Sequence, residues 1–216
     1  VTAADPRSEA LVLLDAPSLE DRCRGVALLR DDPDPAAGVE LASLLSESSW
    51  YLRERVVEAL AARTEPVRDV LRVLDTGTWF ARASACDAVG RRAEREALSG
   101  LLAAVEDRNV SLQKSAVRAL ERLADVHGVD CVARELAALP GERRRRVVAR
   151  VEHQAPQWAQ ELDVALDRVP ADRWSPDSGA RRPPPPTTAR RGLEARTLAN
   201  FRQWLTALPG RSKDGP

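Results

Sequence analysis

Apolar and small residues recur along the chain at intervals of three and four, in blocks that themselves repeat. The clearest block is SWYLRERVVEAL at residues 49–60, which returns as TWFARASACDAV at 78–89 and NVSLQKSAVRAL at 109–120. Weaker copies are SLEDRCRGVALL from Ser18 and PGERRRRVVARV from Pro140. The copies open on Ser18, Ser49, Thr78, Asn109 and Pro140, which are 31, 29, 31 and 31 residues apart. A fixed period of this length marks stacked structural units. Val26, Val57, Cys86, Val117 and Val148 share one column, and Leu29, Leu60, Val89, Leu120 and Val151 another. Such columns form an apolar stripe on one face of a helix. Ser, Ser, Thr and Asn open four of the blocks, and their side-chain oxygens cap helix starts for about 1 kcal/mol each.

A second apolar series precedes each block: Ala10, Leu13 and Leu14; Leu41, Leu44 and Leu45; Val70, Val73 and Leu74; Leu101, Ala104 and Val105; Val132 and Leu136. Each unit therefore reads as helix, short turn, capped helix. One such hairpin cannot bury its own apolar face, but neighbours stacked in register can. Hairpins are expected at 8–30, 36–63, 66–90, 94–126 and 129–153, with a lone sixth first helix at 157–169.

A polar column is equally regular: Arg22, Arg53, Arg82, Gln113 and Arg144, four residues after each block start. With this column and the Trp50 and Trp79 starts, the pattern resembles the short bacterial HEAT-like repeats. The second helix of those repeats opens on a capped, often Trp-bearing turn and carries V/L-R-x-x-A. The resemblance spans about residues 8–170 and implies an all-α, right-handed α-solenoid of about five to six hairpins, filling residues 1–170. It also implies that the Arg column joins a polar ladder between units and that the second helices line a concave surface. The fifth copy departs, with Pro140-Gly141 in place of the cap. Tetratricopeptide and ankyrin signatures are absent. For function the architecture says little, because it serves many unrelated partners.

After the repeats, the proline content of 171–188 suits an extended linker. Residues 189–208 then place Leu193, Leu198, Phe201, Leu205 and Leu208 on one helical face, and 209–216 read as a disordered tail. Two roles suit that last helix: a cap over the open end of the stack, or a motif that docks in a groove.

The 33 basic and 33 acidic residues balance, which argues against a bulk nucleic-acid binder. Only Lys114 and Lys213 are lysines; that bias, with abundant Ala and Pro, points to a GC-rich bacterial genome. The chain opens on Val and lacks Met, as from a GTG start read literally or a numbering that begins inside a longer product. No long apolar run and no signal peptide are visible, so the cytoplasm is expected and a membrane partner is not. Cys23, Cys86 and Cys131 match no zinc spacing and read as structural thiols. His127 and His153 fall near helix ends, in solvated or capping positions. No phosphate loop, nucleophile elbow or carboxylate pair stands out, so neither an enzyme nor a bound cofactor is expected.

On the concave surface that the resemblance implies, the outward columns hold Tyr51 and Phe80, then Glu54, Lys114 and Arg145, then Glu58, Asp87 and Arg118. Tyr51 and Phe80 are either anchors for a bound chain or tucked against adjacent helices, beside Trp50 and Trp79 packed between repeats. Charge changes from Glu54, Glu58 and Asp87 to Lys114, Arg118, Arg122, Arg145 and Arg146. That gradient would orient a polar partner, unless residues 143–146 are simply a solvated face. The leading expectation is a non-enzymatic scaffold or adaptor holding a protein partner on this surface. The alternative is a DNA-binding or alkylpurine DNA glycosylase-type repair protein, in which Trp50 with Glu54 would mimic that family's groove pair. A bilin-lyase-like assembly factor is a third class built on similar repeats.

Overall fold

Short helices joined by tight turns account for the chain wherever the computed structural model describes it, at residues 6–65 and 67–175. Pro66, the linker beyond 175, the expected helix at 189–208 and the tail lie outside the described residues. Among the described residues the fold is all-α, without strands. The helices are α1 (Pro6–Leu14), α2 (Leu19–Asp31), α3 (Pro35–Ser43), α4 (Trp50–Ala62), α5 (Arg68–Thr76), α6 (Trp79–Arg92), α7 (Leu98–Val105), α8 (Val110–His127), α9 (Val129–Ala138), α10 (Gly141–Gln154) and α11 (Pro156–Asp167). Short 3-10 turns extend α3 and lead into α7.

The starts follow from local chemistry. Ser18 accepts from the Asp21 N–H, Ser49 from Leu52, and Asn109 from Ser111 and Leu112. Each satisfies amides that the first helical turn leaves unpaired. Asp34 does the same for α3, ahead of Pro35 at a position where a missing N–H costs nothing. Thr78 occupies the same column, with extended backbone, yet makes no side-chain cap bond. The α10 start also stands without a side-chain cap, following Pro140. These two helices are held by packing rather than by their caps.

The even-numbered helices α2, α4, α6 and α8 pack one on the next, and so do α3, α5, α7 and α9. Between the two series lie Leu29, Leu41, Leu45, Leu52, Leu74, Leu101, Leu112, Leu120 and Leu136, all fully buried. The α6–α8 pairing is close. A Cβ on Gly90 would lie 2.7 Å from both Cα and Cβ of Ala119, so only hydrogen fits there. The α6 end is a Schellman-type stop: Ala93 N–H donates to the Gly90 carbonyl and Glu94 N–H to Val89. Ala93 takes the left-handed conformation this requires, at φ 52°. After α8 the pattern turns: α10 packs on α7, α8 and α11, and α11 lies against α9 and α10. Residues 171–175, expected to begin a linker, stay against the helices. The Trp174 indole N–H donates to the Val169 carbonyl at 3.1 Å, and its ring sits 4.4 Å from the Arg144 guanidinium carbon.

Two polar columns tie successive hairpins together. In the column seen in the sequence, Arg22 reaches Glu47 in the next hairpin at 2.5 Å, while Arg53 donates to the Glu47 and Ser48 carbonyls. Arg82 likewise reaches Asp107 in the next hairpin at 2.6 Å, and Gln113 Nε2 donates to the Asp107 carbonyl at 2.6 Å. A second column lies at the other end of the even helices. Arg63 donates to the carbonyls of Leu29, Asp32 and Asp34 and pairs with Glu65. Arg92 donates to the Glu65 carbonyl at 2.7 Å and pairs with Glu94, and His127 Nε2 lies 2.7 Å from the Ala93 carbonyl. Its trace in the sequence is R-x-E, Arg63 with Glu65 and Arg92 with Glu94.

Candidate functional site

The first residues of α2, α4, α6 and α8 are Leu19, Trp50, Trp79 and Val110. Because these helices pack in succession, the four side chains form a row along one end of the layer. All are apolar and all are open: Leu19 is 41% exposed, Trp50 70%, Trp79 50% and Val110 56%. The expectation that Trp50 and Trp79 pack between repeats is therefore corrected. The interhelical core begins only two residues later, at Leu52, Ala81 and Leu112, all buried. A side chain at the first helical position leans back over the turn before its own Cα, beyond that contact.

Behind the row stand the two predicted anchors. Tyr51 is exposed and meets the Trp50 ring edge-on, with centroids 6.0 Å apart and planes at 88°. Phe80 is half-buried and repeats the arrangement with Trp79, at 5.7 Å and 89°. Arg55 lies over the Tyr51 ring at 5.3 Å, and Arg53 of α4 over Phe80 of α6 at 4.9 Å. The Nε atoms of both arginines are buried without a hydrogen-bond partner, so the ring faces are a compensating contact for these guanidinium groups. Burial also lowers the Arg53 pKa from its ordinary value. Phe80 thus joins two hairpins, whereas Tyr51 remains presented to solvent.

The charged candidates are mostly matched within the protein. Glu54 of α4 pairs with Arg91 of α6, and Glu58 with Arg55 at 2.8 Å. Asp87 lies 3.6 Å from Arg118 and accepts from the Ser115 hydroxyl at 3.3 Å. Burial nevertheless pushes the Asp87 carboxyl up, against the pull of Arg118 and Arg122. Each acid on the expected gradient carries its own guanidinium, so the sign change along the surface is locally cancelled. Lys114 and Arg145 are exposed and have no protein partner among the described residues.

The run 143–146 is not a uniform solvated face. Arg143 and Arg146 both hold Glu106, at 2.6 and 3.1 Å, and Arg144 is buried against the Ala137 and Leu139 carbonyls. Of that run, only Arg145 is left to solvent without a protein partner among the described residues.

Elsewhere, an open cleft of about 380 Å³ is lined by Val39, Leu60, Val67, Arg68 and Val70, with Arg63 and Arg92 beside it. Carbonyl and carboxylate oxygens already occupy those two guanidinium groups, so they are not waiting for an anion. The Cys86 thiol is buried and pushed well up by desolvation, and Cys23 and Cys131 shift the same way. Among the described residues no cluster of His, Cys, Asp and Glu is arranged to hold a metal ion, and no helix is long and apolar enough to cross a membrane. Compared with protein-family models, curated proteins and solved structures, the chain has no match.

Proposed function

We infer that the protein is a non-enzymatic scaffold or adaptor that binds a protein partner across the exposed starts of α2, α4, α6 and α8. The observation that carries this reading is the row Leu19–Trp50–Trp79–Val110: four apolar side chains at equivalent positions, all left exposed. Large exposed aromatics in register are the residue types that supply interface hot spots. The architecture proposed is the right-handed α-solenoid of HEAT-like hairpins, α1/α2 to α9/α10, followed by α11. The successive packing of even on even and odd on odd helices supports it, as do the two polar columns that repeat from hairpin to hairpin.

The repair-protein reading draws less support. Glu54, its candidate groove carboxylate, is engaged by Arg91, and Asp87 by Arg118.

The test is capture from a native lysate with the wild-type chain and with a Trp50→Ala/Trp79→Ala variant, at low and high salt. A protein retained by the wild type at both salts and lost from the variant supports the scaffold. Retention of nucleic acid alone, at low salt only, would move the reading to the basic side chains Lys114 and Arg145.

A further inference from the structure

We propose that the cleft between α9, α11 and the 3-10 turn Ala171–Arg173 binds a phosphomonoester group through Arg134, Arg168 and Arg173. This goes beyond the scaffold reading. The cleft shares no residue with the row of helix starts, so either site can fail without the other.

The three guanidinium groups are positioned but not used up. Arg134 Nε donates to the Asp130 carbonyl one turn earlier on α9, at 3.1 Å, and Arg168 Nε donates to the Val164 carbonyl at 3.3 Å. Arg168 also stands 3.7 Å from the Asp130 carboxylate, too far for a hydrogen bond. The terminal nitrogens of both arginines, and the whole Arg173 guanidinium, make no hydrogen bond among the described residues. Asp130 therefore gathers Arg134 and Arg168 into one place without spending their forks. All three arginines are exposed, and Ala165 and Val169 are buried beneath them.

Nearby oxygens do not fill the vacancy. The carbonyls of Ala165, Leu166 and Pro170 accept from the amides of Arg168, Val169 and Arg173, and the Val169 carbonyl accepts from the Trp174 indole. In the other cleft, by contrast, chain oxygens already occupy Arg63 and Arg92.

Charge selects the ligand. Among the described residues lining the cleft, Asp130 is the carboxylate set against three guanidinium groups, which leaves two positive charges uncompensated. A phosphomonoester carries about −1.5 to −2 at pH 7, whereas a carboxylate or a phosphodiester carries one negative charge. Its oxygens also match the donor fork of arginine. The cleft, at about 460 Å³, has the size of a small-ligand pocket, so the group that bears the phosphate has room as well. The turn is already ordered: the Ser175 amide donates to the Ala137 carbonyl at 3.1 Å, and Trp174 lies over Arg144. Presenting Arg173 therefore costs little further ordering.

The experiment follows the arginine Nε–H resonances of the full 15N-labelled chain at pH 7 and constant ionic strength. The probes are inorganic phosphate, ribose 5-phosphate and acetyl-Gly-phosphoserine-Gly amide, with acetate and dT10 as controls. Inorganic phosphate should shift the Arg134, Arg168 and Arg173 signals saturably, and acetate should not. Arg134→Gln, Arg168→Gln and Arg173→Gln should each weaken phosphate binding by about tenfold, the loss of a charge-assisted hydrogen bond. Asp130→Asn should tighten it by about threefold, because a competing exposed charge is removed. Arg68→Gln, on α5, should change nothing. Tighter binding of the sugar phosphate or of the phosphopeptide than of inorganic phosphate supports the site and names the source of the ester. The wild-type titration needs no variant to fold, and the absence of saturable shifts there overturns the proposal. So does a phosphate affinity that none of the three glutamine substitutions lowers, or an equal response to acetate. Shifts with dT10 alone would overturn it in favour of nucleic acid.

Discussion

Arg82 on α6 lies 2.6 Å from the Asp107 carboxylate in the turn of the next hairpin, while the Asp107 backbone carbonyl accepts from Gln113 of its own hairpin. One residue thus serves two units. Both side chains are about four-fifths buried. Arg82→Ala should cost about 1–2 kcal/mol, the range for a charge-assisted hydrogen bond with partial screening. A double-mutant cycle with Asp107→Asn should show a positive coupling in urea unfolding; additive losses would remove the cross-hairpin role.

Arg63 makes the larger prediction. Its side chain is only 3% exposed and donates to the Leu29, Asp32 and Asp34 carbonyls as well as to Glu65. Arg63→Ala would orphan these acceptors and should cost about 3–5 kcal/mol. Arg63→Lys should recover little, because a single ammonium cannot reproduce the fork of donors. An urea midpoint near wild type for the lysine variant would show that charge alone suffices.

Two neighbouring positions at the end of α6 should respond in opposite directions. Gly90→Ala drives a methyl into the Ala119 backbone and should destabilise by about 1–3 kcal/mol. Ala119→Gly should rescue it only in part, since Ala119 Cα is as close as Cβ. Ala93→Gly relieves a left-handed alanine and should stabilise by about 0.5–1 kcal/mol. Thermal unfolding of the three variants checks the set.

The aromatic residues should separate by role. Trp50→Ala and Trp79→Ala should leave the melting temperature nearly unchanged, because both indoles are open. Phe80→Ala should lower it, since Arg53 loses the ring that covers it across the α4–α6 boundary. Tyr51→Ala should fall between. A large melting loss on removing either tryptophan would show that it packs, and would remove it from the binding surface.

Acid should act on Asp107 and Asp87 with opposite sign. The Asn109 amide and Arg82 hold the Asp107 carboxyl below its ordinary value, although burial opposes them. Its stabilisation is present above the unfolded carboxylate pKa of about 4 and is lost as pH falls through the depressed value. The Asp87 carboxyl is raised by burial. Its contribution is present below the unfolded pKa and is lost as pH rises through the folded one. The deficit of Asp107→Asn should therefore shrink from pH 7 to pH 3, whereas Asp87→Asn should gain on wild type from pH 3 to pH 7. Unfolding curves at three pH values test both slopes; parallel behaviour would refute the assignment.

The helices were readable because their signals are local. The apolar columns placed α1 to α11 within a few residues, and Ser18, Ser49 and Asn109 cap as their side chains predict. Thr78 shows the limit: the same column, with extended backbone, makes no cap bond, and α6 packs on α8 all the same. Periodicity also cannot tell a tryptophan wedged between helices from one standing at their ends, since the buried column begins only two positions later. By periodicity alone Trp50 and Trp79 therefore read as internal, and nothing marks Leu19 and Val110. The Arg63 and Arg92 column was missed for a related reason. It occurs in the two central copies only; Leu123 stands at the equivalent place in α8, where the longer helix carries His127 one turn further on. The four arginines at 143–146 look alike in sequence, and only the neighbouring Glu106 and Trp174 divide their tasks.

The sharing of Glu47 and Asp107 has a bearing on how the chain comes apart. Each turn grips the hairpin before it through a carboxylate and its own second helix through a carbonyl. A hairpin that frays at such a joint withdraws a ligand from its neighbour as well. The hairpins ending in α2 and α4 should therefore open together, as should those ending in α6 and α8. Amide exchange should then report hairpins that open together with a neighbour rather than one at a time.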